Sequence, residues 1–266
     1  MIEIFQYDFM IRAFVAGIVM AIIAPLIGSF LVVRRFSLIA DTLSHIALAG
    51  VAIGFILGTQ PLVTTIVATT IAALLIEQLR RHQSIPADSI LAMLLPGGLS
   101  LAIVLMSLTN GFNANLFSYL FGSITTVQPN EIALIVGLGV TTVAIVSLLY
   151  KKLVYAAIDE ESALVSGIPV STINIILIVL TAITVSLSMR VIGILLVGAL
   201  MVIPVVTAMQ VAKSFFQSVI FSVTFALFAV TSGLFIAYYF NLPAGGAIVL
   251  FSLAVFSGIF LVSRNR

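Results

Sequence analysis

From residue 9 to residue 263 the chain is a succession of apolar runs, most of them 18 residues or longer, separated by short polar breaks. Wound as a helix, a run of that length crosses a hydrocarbon core of roughly 30 Å. Within lipid a backbone must satisfy its own hydrogen bonds, so such runs read as helices rather than open strands. A β-barrel needs segments of about ten residues with alternating polarity, and none is present. Only 8% of the residues are charged and 62% are hydrophobic, against roughly 25% charged in a soluble domain. The low charge is spread along the whole chain, which leaves no place for a soluble domain. The expectation is one all-α integral membrane domain over 1–266.

The runs predict nine transmembrane helices at 9–33, 40–58, 62–79, 88–109, 130–150, 171–189, 191–210, 215–240 and 246–263. Basic residues cluster in cytoplasmic loops of membrane proteins. With Arg34 and Arg35 inside, alternation also places Arg80, Arg81, Lys151, Lys152, Lys213, Arg264 and Arg266 inside, and only Arg12 and Arg190 fall toward the outer side. The N-terminus is then outside and the C-terminus cytoplasmic. Segment 112–125, rich in Gly, Asn and Ser, must enter and leave on the outer side as a re-entrant or surface helix. Tryptophan is absent, so interface anchoring falls to tyrosines such as Tyr7, Tyr119 and Tyr238. The acidic start, Glu3 and Asp8, is unlike the basic n-region of a cleaved leader. With no cysteines, a disulfide framework and a thiolate metal site are excluded.

Two constellations carry chemistry. In RRFSLIADTLSHIALAG, residues 34–50, Asp41 and His45 are four apart and share a helix face. At ~1.5 Å per residue from Arg35, Asp41 lies roughly 9 Å and His45 roughly 15 Å along the helix. A charged group at that depth costs at least ~2.5–3.5 kcal/mol, so it normally faces a cavity or a partner. Imidazole with carboxylate suits Zn²⁺, and also Mn²⁺ or Fe²⁺. Two ligands are an incomplete set, and two copies across a dimer axis would offer four. The alternative is structural: Asp41 sits where the helix macrodipole favours an anion and is in reach of Arg34 or Arg35, while His45 bonds a neighbouring helix.

The second constellation is IDEESALVSGIPV, residues 158–170. Asp159, Glu160 and Glu161 suit a first helical turn, Ala163 and Leu164 follow, and Gly167 with Pro169 ends the helix. A helix of about two turns on the cytoplasmic face is expected, serving either as a docking element or as an ordinary connection. Pro25, Pro96 and Pro204 sit inside proposed spans and predict kinks. Glu77 and Asp88 flank Arg80–Arg81 and are expected to be solvated or salt-bridged. His82 is expected in a loop. Ala49, Gly50, Gly54 and Gly58 predict close helix packing. No G-x-x-x-x-G-K-[ST] phosphate loop, H-E-x-x-H or G-x-S-x-G string occurs, which argues against ATP hydrolysis by this chain and against an intramembrane protease. Basic patches of nucleic-acid type are absent too.

The string GSFLVVRRFSLIADTLSHIALAGVAIG, residues 28–54, resembles the signature of the membrane subunits of bacterial zinc/manganese ABC importers. SYLFGSITTV (118–127), AAIDEESALVSGIPV (156–170) and RVIGILLVGALMVIPVVTA (190–208) resemble, in the same order, the family's outer-side segment, coupling helix and late core helix. The resemblance implies a type II ABC importer-like fold in the bacterial cell membrane, embedded in lipid. It implies a homodimer around a central pathway and two cytoplasmic ATPase subunits on the coupling helices, Asp159, Glu160, Glu161, Ala163 and Gly167. It also implies an extracellular or periplasmic metal-binding protein that delivers the ion, and a transported divalent metal with no permanently bound cofactor. Asp41 and His45 match the family's D-x-x-x-H metal motif. Manganese-type members more often carry Gly where this chain has Arg35 and Ala40, so zinc is expected ahead of manganese or iron. The competing expectation is an ion-coupled secondary carrier using Asp41, although no inverted repeat is visible.

Overall fold

The structure, a computed structural model, describes residues 6–81, 85–108, 119–122, 128–189 and 192–263. The regular structure among them is helical. The elements are α1 (Asp8–Val33), α2 (Leu38–Leu57), α3 (Pro61–Arg81), α4 (Ala87–Ser107), α5 (Pro129–Ile158), α6 (Glu160–Val165), α7 (Val170–Ser188), α8 (Val197–Met209), α9 (Phe215–Phe240) and α10 (Ala244–Ser263). Eight of these are long and apolar enough to span a membrane.

The expected seventh span, 191–210, is not one continuous helix. Gly193 takes a left-handed φ of +89°, Ile194–Leu196 form a 3-10 turn, and α8 has 13 residues. At ~1.5 Å per residue it is about 20 Å long, short of a core of roughly 30 Å. The break needs glycine twice over. A side chain is strained at that φ, and a Cβ would also overlap the backbone of Leu120, Phe121 and Gly122. Because apolar residues lie on both sides, hydropathy passes over the break without a dip.

Helix α5 departs the other way. The run predicted to end at 150 continues to Ile158, giving a helix of 30 residues. Nothing in KKLVYAAI opposes a helix, so Lys151 and Lys152 lie on an extension of the span, not in a loop. At the other end of α5, Glu131 Oε2 accepts from the Gln128 N–H at 3.1 Å, capping the first turn. Most of the proposed outer segment 112–125, along with His82, Arg190, Arg264 and Arg266, lies outside the described residues. Its described part, 119–122, touches the helix break and the start of α10, where a Cβ on Gly245 would lie 2.7 Å from the Phe121 carbonyl oxygen. The Tyr119 ring meets Phe55 at the end of α2, with centroids 5.8 Å apart.

Burial separates inner from outer helices. Two-thirds of the most apolar windows of α1, α2 and α7 are buried, against 22% for α5 and 28% for α4 and α10. The outer helices are as hydrophobic as the core ones, since a membrane interior and a protein core are both apolar surroundings. Close approach at α2 comes from glycine: a Cβ on Gly50 would lie 2.7 Å from the Thr65 Cα of α3, and one on Gly54 would lie 2.8 Å from the Pro61 Cα. Gly98 of α4 meets the other side of α2 at Ile46 in the same way. Gly58 does not pack; it caps α2 at φ +62°. Helices α3 and α7 are joined through hydroxyls, Thr69 Oγ1 and Ser186 Oγ lying 2.7 Å apart.

Candidate metal site and coupling helix

The α1–α2 connection is a tight turn. The Phe36 N–H donates to the Leu31 carbonyl at 2.9 Å, and Arg35 takes φ +55°. This is the 6→1 closure that ends a helix through a left-handed residue, usually glycine. A glycine would sit at position 35 without strain, so residue 35 reports the geometry of this turn and not ligand chemistry.

The turn launches α2 with Asp41 in its first turn. Asp41 and His45 are half-buried on one face. Neither arginine takes Asp41: Arg34 donates instead from Nη1 to Asn174 Oδ1 at 2.6 Å and from Nη2 to Glu160 Oε2 at 3.0 Å. The Asp41 carboxylate accepts no hydrogen bond from the described residues, and it lies against Gly198 in the first turn of α8. His45 Nδ1 is buried and likewise without a partner. The structural reading of this pair, satisfied by neighbours, has no support in the contacts. Two polar groups inside the bundle stand uncommitted, one of them an imidazole nitrogen able to ligate when neutral. Among the described residues no group of three or more His, Cys, Asp or Glu side chains converges.

The second constellation folds as α6, in which each acidic residue does a different thing. Asp159 is the N-cap: its Oδ1 accepts from the Ser162 N–H at 2.9 Å and its Oδ2 from the Ser162 hydroxyl at 2.6 Å. These bonds hold its carboxyl below the usual range. Glu160 turns inward, and Glu161 is exposed. Ala163 is fully buried, and Gly167 ends the helix at φ +78°. Leu164 and Val165 point outward, Val165 being 90% exposed.

Glu160 is the centre of a network that sequence reasoning did not find. Its Oε1 accepts from Asn174 Nδ2 of α7 at 3.0 Å, its Oε2 holds Arg34, and Arg80 Nη2 of α3 stands 3.8 Å away. Burial by itself raises this carboxyl, but the Asn174 bond and the charges of Arg34 and Arg80 outweigh it and hold the group below the usual glutamate range. Burial acts in the opposite sense on Arg34, lowering it despite the Glu160 charge. Arg80 also pairs with Glu77 at 3.0 Å and lies over the Phe36 ring. Glu77 is 2% exposed and takes Arg81 as well, so it is salt-bridged and not solvated. The ends of α1, α3 and α7 are thus joined to α6 by one set of charges. The only prior signal was the apolar setting of Asn174, an amide that needs a partner when buried.

Residues 6–263 match the ABC 3 transport family. The chain belongs to that family. It is 30% identical over 261 residues to the manganese import system permease protein ScaB of Streptococcus gordonii, covering 98% of this chain and 94% of the relative. It is 30% identical over 263 residues to the high-affinity zinc uptake system membrane protein ZnuB of Haemophilus influenzae, covering 98% and 100%. The solved structure of PsaBC from Streptococcus pneumoniae in complex with Fab superposes with a TM-score of 0.83 at 31% identity, covering 96% of this chain and 92% of that one. This ABC 3 chain is accordingly a membrane permease subunit of a metal ABC importer, not an ATPase. Its relatives are named for zinc and for manganese alike.

Proposed function

We infer that this permease forms a homodimer whose central pathway passes a divalent transition-metal ion, with Asp41 and His45 of each copy as its ligands. The observation that carries this reading is the open state of the pair: an uncommitted carboxylate and an unpartnered imidazole nitrogen, one helical turn apart inside the bundle. Two copies supply four donors, and nitrogen with oxygen suits Zn²⁺ and Mn²⁺ alike. Zinc is the cargo to test first, on the remaining distinction at Ala40. Family membership sets aside the ion-coupled carrier.

The end that holds Arg34, Arg80, Arg81 and α6 faces the cytoplasm, in line with the positive-inside rule. There the exposed Leu164 and Val165 dock into a groove of a separate ATPase subunit, and Glu160 carries the movement inward. A metal-binding protein delivers the ion at the opposite end. Uptake of Zn²⁺ and Mn²⁺ in competition, by vesicles holding the assembled transporter, tests the site. Asp41→Ala and His45→Ala should each abolish uptake at equal expression. Wild-type uptake in either variant would sink that residue's assignment.

A further inference from the structure

Gly198 is buried in the first turn of α8, and the Asp41 carboxylate rests directly on it. A methyl group at 198 would overlap Asp41 Oδ1 and would lie 2.7 Å from Cγ and 3.2 Å from Oδ2. Only a hydrogen atom fits between this carboxylate and the backbone of α8. The contact crosses the bundle, from the helix that carries both ligands to the half-length helix that begins after the left-handed Gly193.

A second glycine contact of α8 differs in kind. A Cβ on Gly28 of α1 would overlap the Met201 carbonyl oxygen and lie 2.9 Å from its carbon and 3.2 Å from its Cα. Those atoms are main chain inside a helix and cannot swing away. At Gly198 the obstructing atoms are the far end of a side chain with two rotatable bonds, on a half-buried residue that no hydrogen bond holds. An added methyl group at 28 must push two helices apart. At 198 it need only turn the carboxylate.

We propose that Gly198 is a positioning residue for the metal pathway: its missing side chain sets where the Asp41 carboxylate points and seats that ligand on α8. The inference rests on Asp41 being a ligand. Metal affinity is sensitive to such placement, because Zn²⁺ is held at about 2.0–2.2 Å by carboxylate oxygen in near-tetrahedral geometry.

Direct binding of ⁶⁵Zn²⁺ and ⁵⁴Mn²⁺ to the purified permease–ATPase complex, with thermal stability measured on the same samples, tests this. Gly198→Ala should keep the wild-type yield and melting temperature, weaken binding of at least one metal about tenfold or more, and change the Zn²⁺/Mn²⁺ preference. Gly28→Ala should lower yield and melting temperature while the folded fraction binds metal as wild type does. Gly198→Ala binding both metals within twofold of wild type, while Asp41→Ala loses binding, would overturn the role of Gly198 and leave the ligand assignment standing. Loss of folded Gly198→Ala protein to the extent seen with Gly28→Ala would overturn it too, since the carboxylate would then not have yielded. Wild-type binding by Asp41→Ala would remove the ligand assignment and this inference with it.

Discussion

Replacing Glu160 by glutamine removes the carboxylate that pairs directly with Arg34. The carboxylate holds Arg34 at 3.0 Å and Asn174 at 3.0 Å. The Arg34 side chain is 11% exposed and that of Glu160 42%. Breaking a fully buried pair costs about 3–5 kcal/mol, because the remaining charge stays dry, whereas an exposed pair contributes ~0–1 kcal/mol. With Arg34 buried and Glu160 screened by water, the loss is about 1–2 kcal/mol, roughly five- to thirty-fold in the docking equilibrium of α6. It falls on α6, since α1, α3 and α7 keep their apolar packing. Hydrogen exchange on the purified protein should show the amides of Ala163 and Ile168, which bond to Asp159 and Ala163 carbonyls, losing protection by that factor, with the middle of α7 unchanged. Glu160 has a depressed folded pKa, so the unfolded state takes up its proton first. The stabilisation is complete at neutral pH and is lost as pH falls through the folded value, below the usual glutamate range. The wild-type segment should therefore loosen in acid, and the glutamine variant should keep only the part of that step that the Asp159 cap contributes. Equal protection of 160–168 in the two proteins at neutral pH would refute the network as the tie between α6 and the bundle.

Arg35→Gly relieves a left-handed residue at φ +55° and should raise stability by about 1 kcal/mol, read as a higher melting temperature; an unchanged or lower value would count against strain in the turn. Thr69→Val removes the hydroxyl pair with Ser186 and should cost about 0.6 kcal/mol, since Ser186 keeps its bond to the Ala182 carbonyl. A thermal melt that drops as far as for a core cavity would contradict that size. Glu77→Ala removes the buried carboxylate that Arg80 and Arg81 share and should cost about 1–3 kcal/mol, with urea titration as the measure. Val165→Asp, on a side chain that touches almost nothing here, should leave the melting temperature alone while reducing co-purification of the ATPase subunit; full co-purification would move the docking face elsewhere.

The membrane class, the places of the long helices and the Asp41/His45 pair were legible in the sequence, because each depends on residues close together along the chain. Run length against bilayer thickness gives a span, and a spacing of four gives a shared helix face. The same locality explains the misses. The run at 191–210 hides a broken helix, because what breaks it is the backbone of residues 120–122 lying against Gly193, some 70 positions away. Helix α5 outlasts its prediction because a basic pair ends a membrane span without ending a helix. Glu160 was legible as a first-turn acid and not as the partner of Arg34, Asn174 and Arg80, since pairing across 126 residues has no period to read. Gly198 looked like one more small residue in an apolar run. Only the packing of α2 on α8 put the carboxylate of Asp41 where a hydrogen atom is all that fits. The sequence by itself determined the solvent this protein lives in and which pair of residues is the candidate for holding an ion. Tertiary structure decided which of its charges have partners and which do not, because commitment depends on a partner's distance in space and not along the chain.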